Sequence, residues 1–244
     1  MKTSENTILV TGGSTGIGLA LAIRLLKEGN KVIICGRRQD KLDEAKRAYP
    51  ELVTYRFDVA KESERNELFE KASRDFPKLN VLFNNAGIQR YPKLDTHEEP
   101  WSVTRQEIEI NLEAPIHLSL LFAEHLKKQS NAAILMTTSG LSHVPLANAP
   151  VYSATKAGLH SFTLSLRHQL SKHSIEVIEV SPPAVDTDLG GPDLHTFGVD
   201  LNEFADAVMT GLKKSEQEIT YGSSTKSANA SRAERDAIFK MMNQ

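Results

Sequence analysis

The sequence predicts a single α/β domain in which short apolar strands alternate with helices. Three observations carry the prediction. Strand, glycine turn, helix and second strand follow one another within about 30 residues near the N-terminus, which is a βαβ unit and right-handed on general grounds. The same alternation continues down most of the chain. At 244 residues and 40% hydrophobic content there is enough chain for one large α/β domain with an ample core.

Composition excludes several function classes. The net charge is −2 and the pI near 6.5, which leaves no basic footprint for nucleic acid or an anionic membrane. Cys35 is the only cysteine, so no intrachain disulfide is possible, as suits a reducing compartment. Met1 to Asn6 is polar and runs straight into a strand without a signal-peptide core. No apolar run approaches the ~20 residues of a membrane span. The expectation is a soluble cytoplasmic protein with a small-molecule partner.

Thr7 to Val10 is the first strand, followed by Thr11-Gly12-Gly13-Ser14-Thr15-Gly16-Ile17-Gly18 and a helix that Gly29-Asn30 closes. The glycines at 12, 16 and 18 depart from the common G-x-G-x-x-G spacing. The mechanics survive: small residues admit a pyrophosphate, and a helix N-terminus offers N–H groups and partial positive charge. Gly12, Ser14, Thr15, Gly16, Ile17 and Gly18 are therefore the expected phosphate-binding residues. After the second strand, Lys31 to Cys35, a NAD-binding chain usually carries an acid for the ribose; this one has Gly36-Arg37-Arg38. Two arginines at a helix start are opposed by its dipole and point to an anion, a 2′-phosphate being the obvious one. NADP(H) is preferred on that ground, with NAD(H) the alternative.

A helix over 38–48, a strand over 52–57, Asp58-Val59 and a charged helix over 61–75 come next. The fourth strand, 79–83, stops at Asn84-Asn85-Ala86-Gly87, small and amide residues at an edge where ligands sit in open parallel sheets. Residues 88–99 form a polar, proline-bearing connection. A largely helical stretch over 101–128 holds Asn111 with Pro115 four residues on, which predicts a local distortion and a backbone carbonyl free for water. The fifth strand, 131–138, ends at Ser139-Gly140. The sixth, 175–180, leads to Ser181-Pro182-Pro183-Ala184-Val185-Asp186-Thr187. Residues 189–199 have the glycine-rich composition of a lid, 201–212 of an amphipathic helix, 218–221 of an edge strand and 227–244 of a polar helix.

Between the fifth and sixth strands, Pro150 opens a helix that carries Tyr152 and Lys156 on one face. A phenol titrates near pH ~10, and a cation one turn away favours phenolate, moving it toward a useful acid–base range. Such a pair also arises from composition alone, so its surroundings decide. The histidines show no zinc spacing, and no metal is expected. His143 and His195 fall in loops bordering the expected pocket, and His143 is a candidate substrate contact.

Taken together, Thr11-Gly12-x-x-x-Gly16-x-Gly18, Asn84-Asn85-Ala86-Gly87, Asn111, Ser139 and Tyr152-x-x-x-Lys156 resemble the short-chain dehydrogenase/reductase family, from residue 7 to about 213. The wording of 32–37, 167–170 and 182–187 looks closest to a group of bacterial oxidoreductases whose label implies an association with teichoic-acid D-alanylation more than an established substrate. The resemblance implies a Rossmann fold: a doubly wound sheet of about seven parallel strands in order 3-2-1-4-5-6-7, with a core over 7–213 and an extension over 214–244. It implies Tyr152 as acid/base, Lys156 lowering its pKa and holding the nicotinamide ribose, Ser139 polarising the substrate oxygen, and Asn111 carrying a water. It assigns Asp58 and Val59 to the adenine, Asn85, Ala86 and Gly87 to the adenosine ribose, and Pro182, Val185 and Thr187 to the nicotinamide side. A homodimer or homotetramer is implied, built through the long helices. Pro183 stands where such chains usually have glycine, and Thr15 where many NADP enzymes have a basic residue. The expected function is NADP(H)-dependent interconversion of a carbonyl and an alcohol. The alternatives are a NAD-dependent dehydrogenase and a dinucleotide-binding sensor or scaffold without turnover.

Overall fold

The computed structural model describes residues 1–93, 96 and 99–244. Of the polar 88–99 connection, residues 94, 95, 97 and 98 lie outside the described residues. Seven parallel strands form one sheet: β1 (Thr7–Thr11), β2 (Lys31–Gly36), β3 (Val53–Arg56), β4 (Val81–Asn84), β5 (Ala133–Thr137), β6 (Glu176–Ser181) and β7 (Glu218–Thr220). Their order is β3-β2-β1-β4-β5-β6-β7, as the resemblance implied. The order reverses between β1 and β4, and a crevice opens there at the strands' C-terminal ends. The stretch beyond 213 is no appendage, since β7 pairs with β6.

Alternation along each strand supplies two cores. Ile8, Val10, Val32, Ile34, Val81 and Phe83 face one side, packed with α1 (Gly16–Lys27), α2 (Gln39–Ala48) and α7 (Leu201–Lys213). Leu9, Ile33, Cys35 and Leu82 face the other, under α3 (Glu62–Asp75), α5 (Ala114–Leu126) and α6 (Pro150–Ser171). Strands buried on both faces explain why they read as nearly continuous apolar runs. Cys35 lies within the second core, and burial pushes its thiol up to about 12, which makes it inert.

The helical stretch after β4 is not continuous. It runs as α4 (Trp101–Ile108), a π-helical turn over Glu109–Glu113 and then α5, so the predicted distortion falls on Asn111 itself. Pro115 has no N–H to give, and the wider turn before it absorbs the mismatch. The polar tail is two helices, α8 (Ser223–Asn229) and α9 (Arg232–Met242), the second opened by a capping box of Ser231 and Glu234. Asn243, just past α9, accepts from the Ala147 N–H at 2.6 Å and donates to the Pro145 carbonyl at 3.3 Å. The C-terminus thus braces the loop before α6.

At the opposite, N-terminal edge of the sheet, three asparagines knit the strand entries. Asn80 accepts from the Thr7 N–H at 2.9 Å and donates to Asn6 Oδ1 and the Ser130 and Asn131 carbonyls. Asn6 in turn donates to Asn30. Removing Asn80 leaves the partly buried Thr7 N–H without its partner. Asn80→Ala is expected to lower unfolding free energy by about 1–3 kcal/mol in urea titration, whereas an unchanged midpoint would show that water replaces the amide.

Candidate active site

The turn after β1 is shaped by close approach. Gly12 has φ +62°, and a side chain there would meet the Ala86 Cα at 2.7 Å. A Cβ on Gly18 would lie 2.3 Å from the Gly12 carbonyl oxygen and 2.4 Å from Asn85 Nδ2. Thr11 Oγ1 accepts from the N–H groups of Asn85 and Ala86, each at 3.1 Å, while Asn85 Nδ2 donates to the Thr11 and Gly12 carbonyls. Thr137 Oγ1 donates to Asn85 Oδ1. Asn85 is therefore a latch joining the ends of β1, β4 and β5.

Thr15 precedes α1 without capping it through its side chain, and the first turn holds no acid. The leading N–H groups of the helix point into the crevice mouth, ready for an anion. Gly16 (φ +54°) faces Thr187, whose methyl would be 3.6 Å from a Cβ there. Ser14 is turned toward Gly36, and Ile17 packs on the core. These features fit a dinucleotide pyrophosphate at the turn.

Beside it lies a cavity of about 480 Å³ lined by Arg37, Arg38, Arg56, Asp58, Lys61 and Glu64. Arg38 Nη2 donates to Thr15 Oγ1 at 3.1 Å, tying the basic pair to the turn. Both acids are engaged: Asp58 Oδ1 accepts from the Ala60 N–H, and Glu64 accepts from the Asp58 N–H and from Lys61. Arg56 and Lys61 escaped sequence reasoning. Arg56 arrives because β3 pairs with β2 so that Arg56 stands beside Gly36, a register no spacing announces. Val59, expected near the adenine, is buried, and its carbonyl accepts from the Arg65 guanidinium.

The four residues expected to do chemistry meet at the other end of the crevice. Tyr152, Lys156, Ser139 and Asn111 are all buried. Lys156 Nζ donates to the Thr137 carbonyl at 2.7 Å and sits 5.6 Å from the Tyr152 ring centroid. A Cβ on Gly87 would be in ordinary contact with both Asn111 Oδ1 (3.5 Å) and Lys156 Nζ (3.7 Å), which places those two groups together beside the β4 turn. The Asn111 amide is spent on both backbone groups of Ile88 and on Thr155 Oγ1. Ser139 Oγ accepts from the Leu141 N–H, which starts the short 3₁₀ turn Gly140–Ser142.

Electrostatics correct one expectation. Burial raises the Tyr152 phenol above its ordinary value; the Ser139 hydroxyl opposes this, and the Glu107 and Tyr91 charges add to it. The lowering expected from Lys156 does not prevail. Burial instead pushes Lys156 itself down to about 8, with Glu107 pulling it back up.

On the nicotinamide side, the Pro182 carbonyl accepts from the Gly140 N–H, linking that loop to the Ser139 turn. Val185 bridges to Val199, and the Asp186 and Val199 N–H groups bond across this neck. The neck closes the loop that holds Gly190, Gly191 and the buried His195. His143 goes elsewhere. Its ring packs edge-on against His160 at 4.7 Å, and His160 Nδ1 contacts both oxygens of the fully buried Glu179, which also accepts from Thr138 Oγ1 at 2.6 Å. His143 belongs to that cluster beneath the Ser139 turn. A loop position gave no sign of which way the ring turns.

With this geometry, residues 6–196 match the family of short chain dehydrogenases, and the chain belongs to that family. It is 50% identical over its whole length to an uncharacterized oxidoreductase of Bacillus subtilis (strain 168), DltE, covering 98% of that protein. An uncharacterized oxidoreductase of Staphylococcus epidermidis is 29% identical over 86% of this chain and 92% of its own. Among solved structures, a short chain dehydrogenase from Burkholderia cenocepacia J2315 in complex with NADP is 25% identical and superposes with a TM-score of 0.86 over all of both chains. One from Sphingobium yanoikuyae in complex with NADPH has TM-score 0.82 at 22% identity over 98% of this chain and 97% of its own. The fold and the oxidoreductase family are thereby fixed. Among the described residues, no helix is long and apolar enough to cross a membrane, and no group of three or more His, Cys, Asp or Glu side chains is placed to hold a metal ion.

The histidine cluster has a pH signature. The bond to Glu179 raises His160 above its ordinary value, while burial and the neighbouring His160 lower His143. A raised histidine stabilises the fold fully below its unfolded value near pH ~6.5 and loses that contribution as pH rises through the higher folded midpoint. In Glu179→Gln, NMR titration should show the His160 midpoint falling, and the stability gained toward low pH should shrink. An unmoved midpoint would remove Glu179 as its cause.

Proposed function

We propose that the protein is an NADP(H)-dependent oxidoreductase interconverting a carbonyl and a secondary alcohol, with Tyr152 as the acid/base. The observation that carries the reading is the convergence of Tyr152, Ser139 and Lys156 at the far end of a crevice whose mouth is a phosphate-shaped glycine turn. Bound there, the nicotinamide supplies or accepts the hydride. Ser139 donates to the substrate oxygen and polarises the carbonyl. Tyr152, kept as neutral phenol by burial, donates its proton to that oxygen in reduction and takes it back in oxidation. Lys156 is still mostly ammonium at neutral pH, and its charge steadies the phenolate as the proton leaves.

The preference for NADP(H) rests on the cavity at Arg37, Arg38, Arg56 and Lys61, where Glu64 is bound to the Asp58 N–H and Lys61, and one oxygen of Asp58 accepts from the Ala60 N–H. At the end of β2, where a ribose-binding carboxylate for NAD(H) would stand, Gly36 is followed by Arg37 and Arg38. The solved relative from Burkholderia cenocepacia, 25% identical, is a complex with NADP, which is consistent with this reading. Exposed Trp101, Leu120 and Leu164, on α4, α5 and α6, support assembly into a homodimer or homotetramer. A sensor or scaffold without turnover would need neither the buried phenol nor the buried amine.

A panel of ketones and aldehydes, followed by NADPH absorbance, tests the chemistry. Tyr152→Phe should lose about a hundredfold or more in kcat while NADPH affinity stays near that of the unaltered protein. Turnover retained in the variant would take Tyr152 out of the reaction.

A further inference from the structure

A carboxyl group stands beside this site that the chemistry above does not use. Glu107 lies one helical turn before Asn111 and is fully buried. Its Oε1 accepts from the Arg90 N–H at 3.0 Å, and its Oε2 has no partner among the described residues. Asn111 grips Ile88 in the same manner, so the two side chains hold alternate residues of the segment leaving β4. α4 packs against α6, the helix of Tyr152 and Lys156, and Glu107 is the residue of α4 that is buried. Bracing Arg90 takes one acceptor oxygen, and an amide would supply it. A buried carboxyl with an unpartnered oxygen is a costly way to do the same thing.

We propose that Glu107 is a positioning residue of the acid–base chemistry, a buried carboxyl whose charge state sets the proton affinity of Lys156 and Tyr152. The inference rests on the reading of that pair as the acid–base group. Among the described residues, the titratable and charged groups whose charge acts on Glu107 or feels it are Arg90, Tyr91 and Glu99 from the segment before α4, and Tyr152 and Lys156 from α6. Burial pushes its carboxyl up to about 7; Arg90 and Lys156 oppose this and Glu99 adds to it. Glu107 therefore changes charge near neutral pH. Above about 7 the carboxylate holds the proton on Lys156 and on the Tyr152 phenol. Below it, neutral Glu107 lets both release protons more readily.

Two readouts test this, one of them independent of turnover. The Lys156 midpoint is measured by NMR on lysine-labelled protein, with Lys156→Arg for assignment, in the unaltered chain and in Glu107→Gln and Glu107→Asp. The expected result is a midpoint near 8 in the unaltered chain, lower in Glu107→Gln and restored toward it in Glu107→Asp. Glu107→Leu serves if the amide variant fails to fold. The pH profile of kcat/KM for carbonyl reduction should lose an ionisation near 7 in Glu107→Gln and keep a carboxyl ionisation in Glu107→Asp. An unmoved Lys156 midpoint, or a moved midpoint with an unaltered profile, overturns the proposal. If no carbonyl is turned over by the unaltered protein, the proposed function fails, and the Lys156 midpoint alone decides the role of Glu107.

Discussion

The crevice depends on how closely the turn after β1 approaches the turn after β4. Thr11, through one hydroxyl, accepts from two successive N–H groups of the β4 turn, and Asn85 returns two donations to the β1 turn. Contact at that distance leaves no space for a Cβ at Gly12 or Gly18. The same contact sets where α1 begins, and so where its free N–H groups can meet a phosphate. The glycines and Asn85 are best understood as one device. Asn85 was expected to touch the adenosine ribose, yet its amide is occupied in holding the turn together.

From this latch the acid–base end follows by rigid connection. β4 runs on through Gly87 to Ile88, which Asn111 clamps from the π-helical turn. Lys156 reaches past Gly87 to the Thr137 carbonyl at the end of β5. Tyr152 and Lys156 are thus buried on a helix pinned from two sides, and burial governs both of them in opposite directions. The phenol is kept protonated and the amine is made less basic. That suits a group that must give a proton to an oxygen and a neighbour that must tolerate the charge left behind.

The α/β alternation, the glycine turn and the distortion at Asn111 were legible because each is local: apolar runs, glycine spacing and a proline inside a helix speak for themselves. Arg37 and Arg38 were legible for the same reason. Arg56 and Lys61 were not, since they join that cavity only through the pairing of β3 with β2. Its loop position points His143 at the substrate, whereas an edge-on contact joins it to His160, whose ring binds Glu179, a residue 36 positions from His143 in sequence. Glu107 gave no sign either. In the sequence it is one of many acids on a helix, and only burial against α6 separates it from the rest. The Lys156 effect on Tyr152 was judged from spacing, which registers neighbours but not desolvation.

The most direct test of the account is a fluorescence titration of the protein with NADPH and with NADH, repeated on Arg37→Ala. The basic cavity predicts that NADPH binds at least about tenfold more tightly, the worth of one charge-assisted contact, and that the variant loses most of this preference. Equal affinity for the two cofactors, or a preference untouched by the substitution, would contradict it.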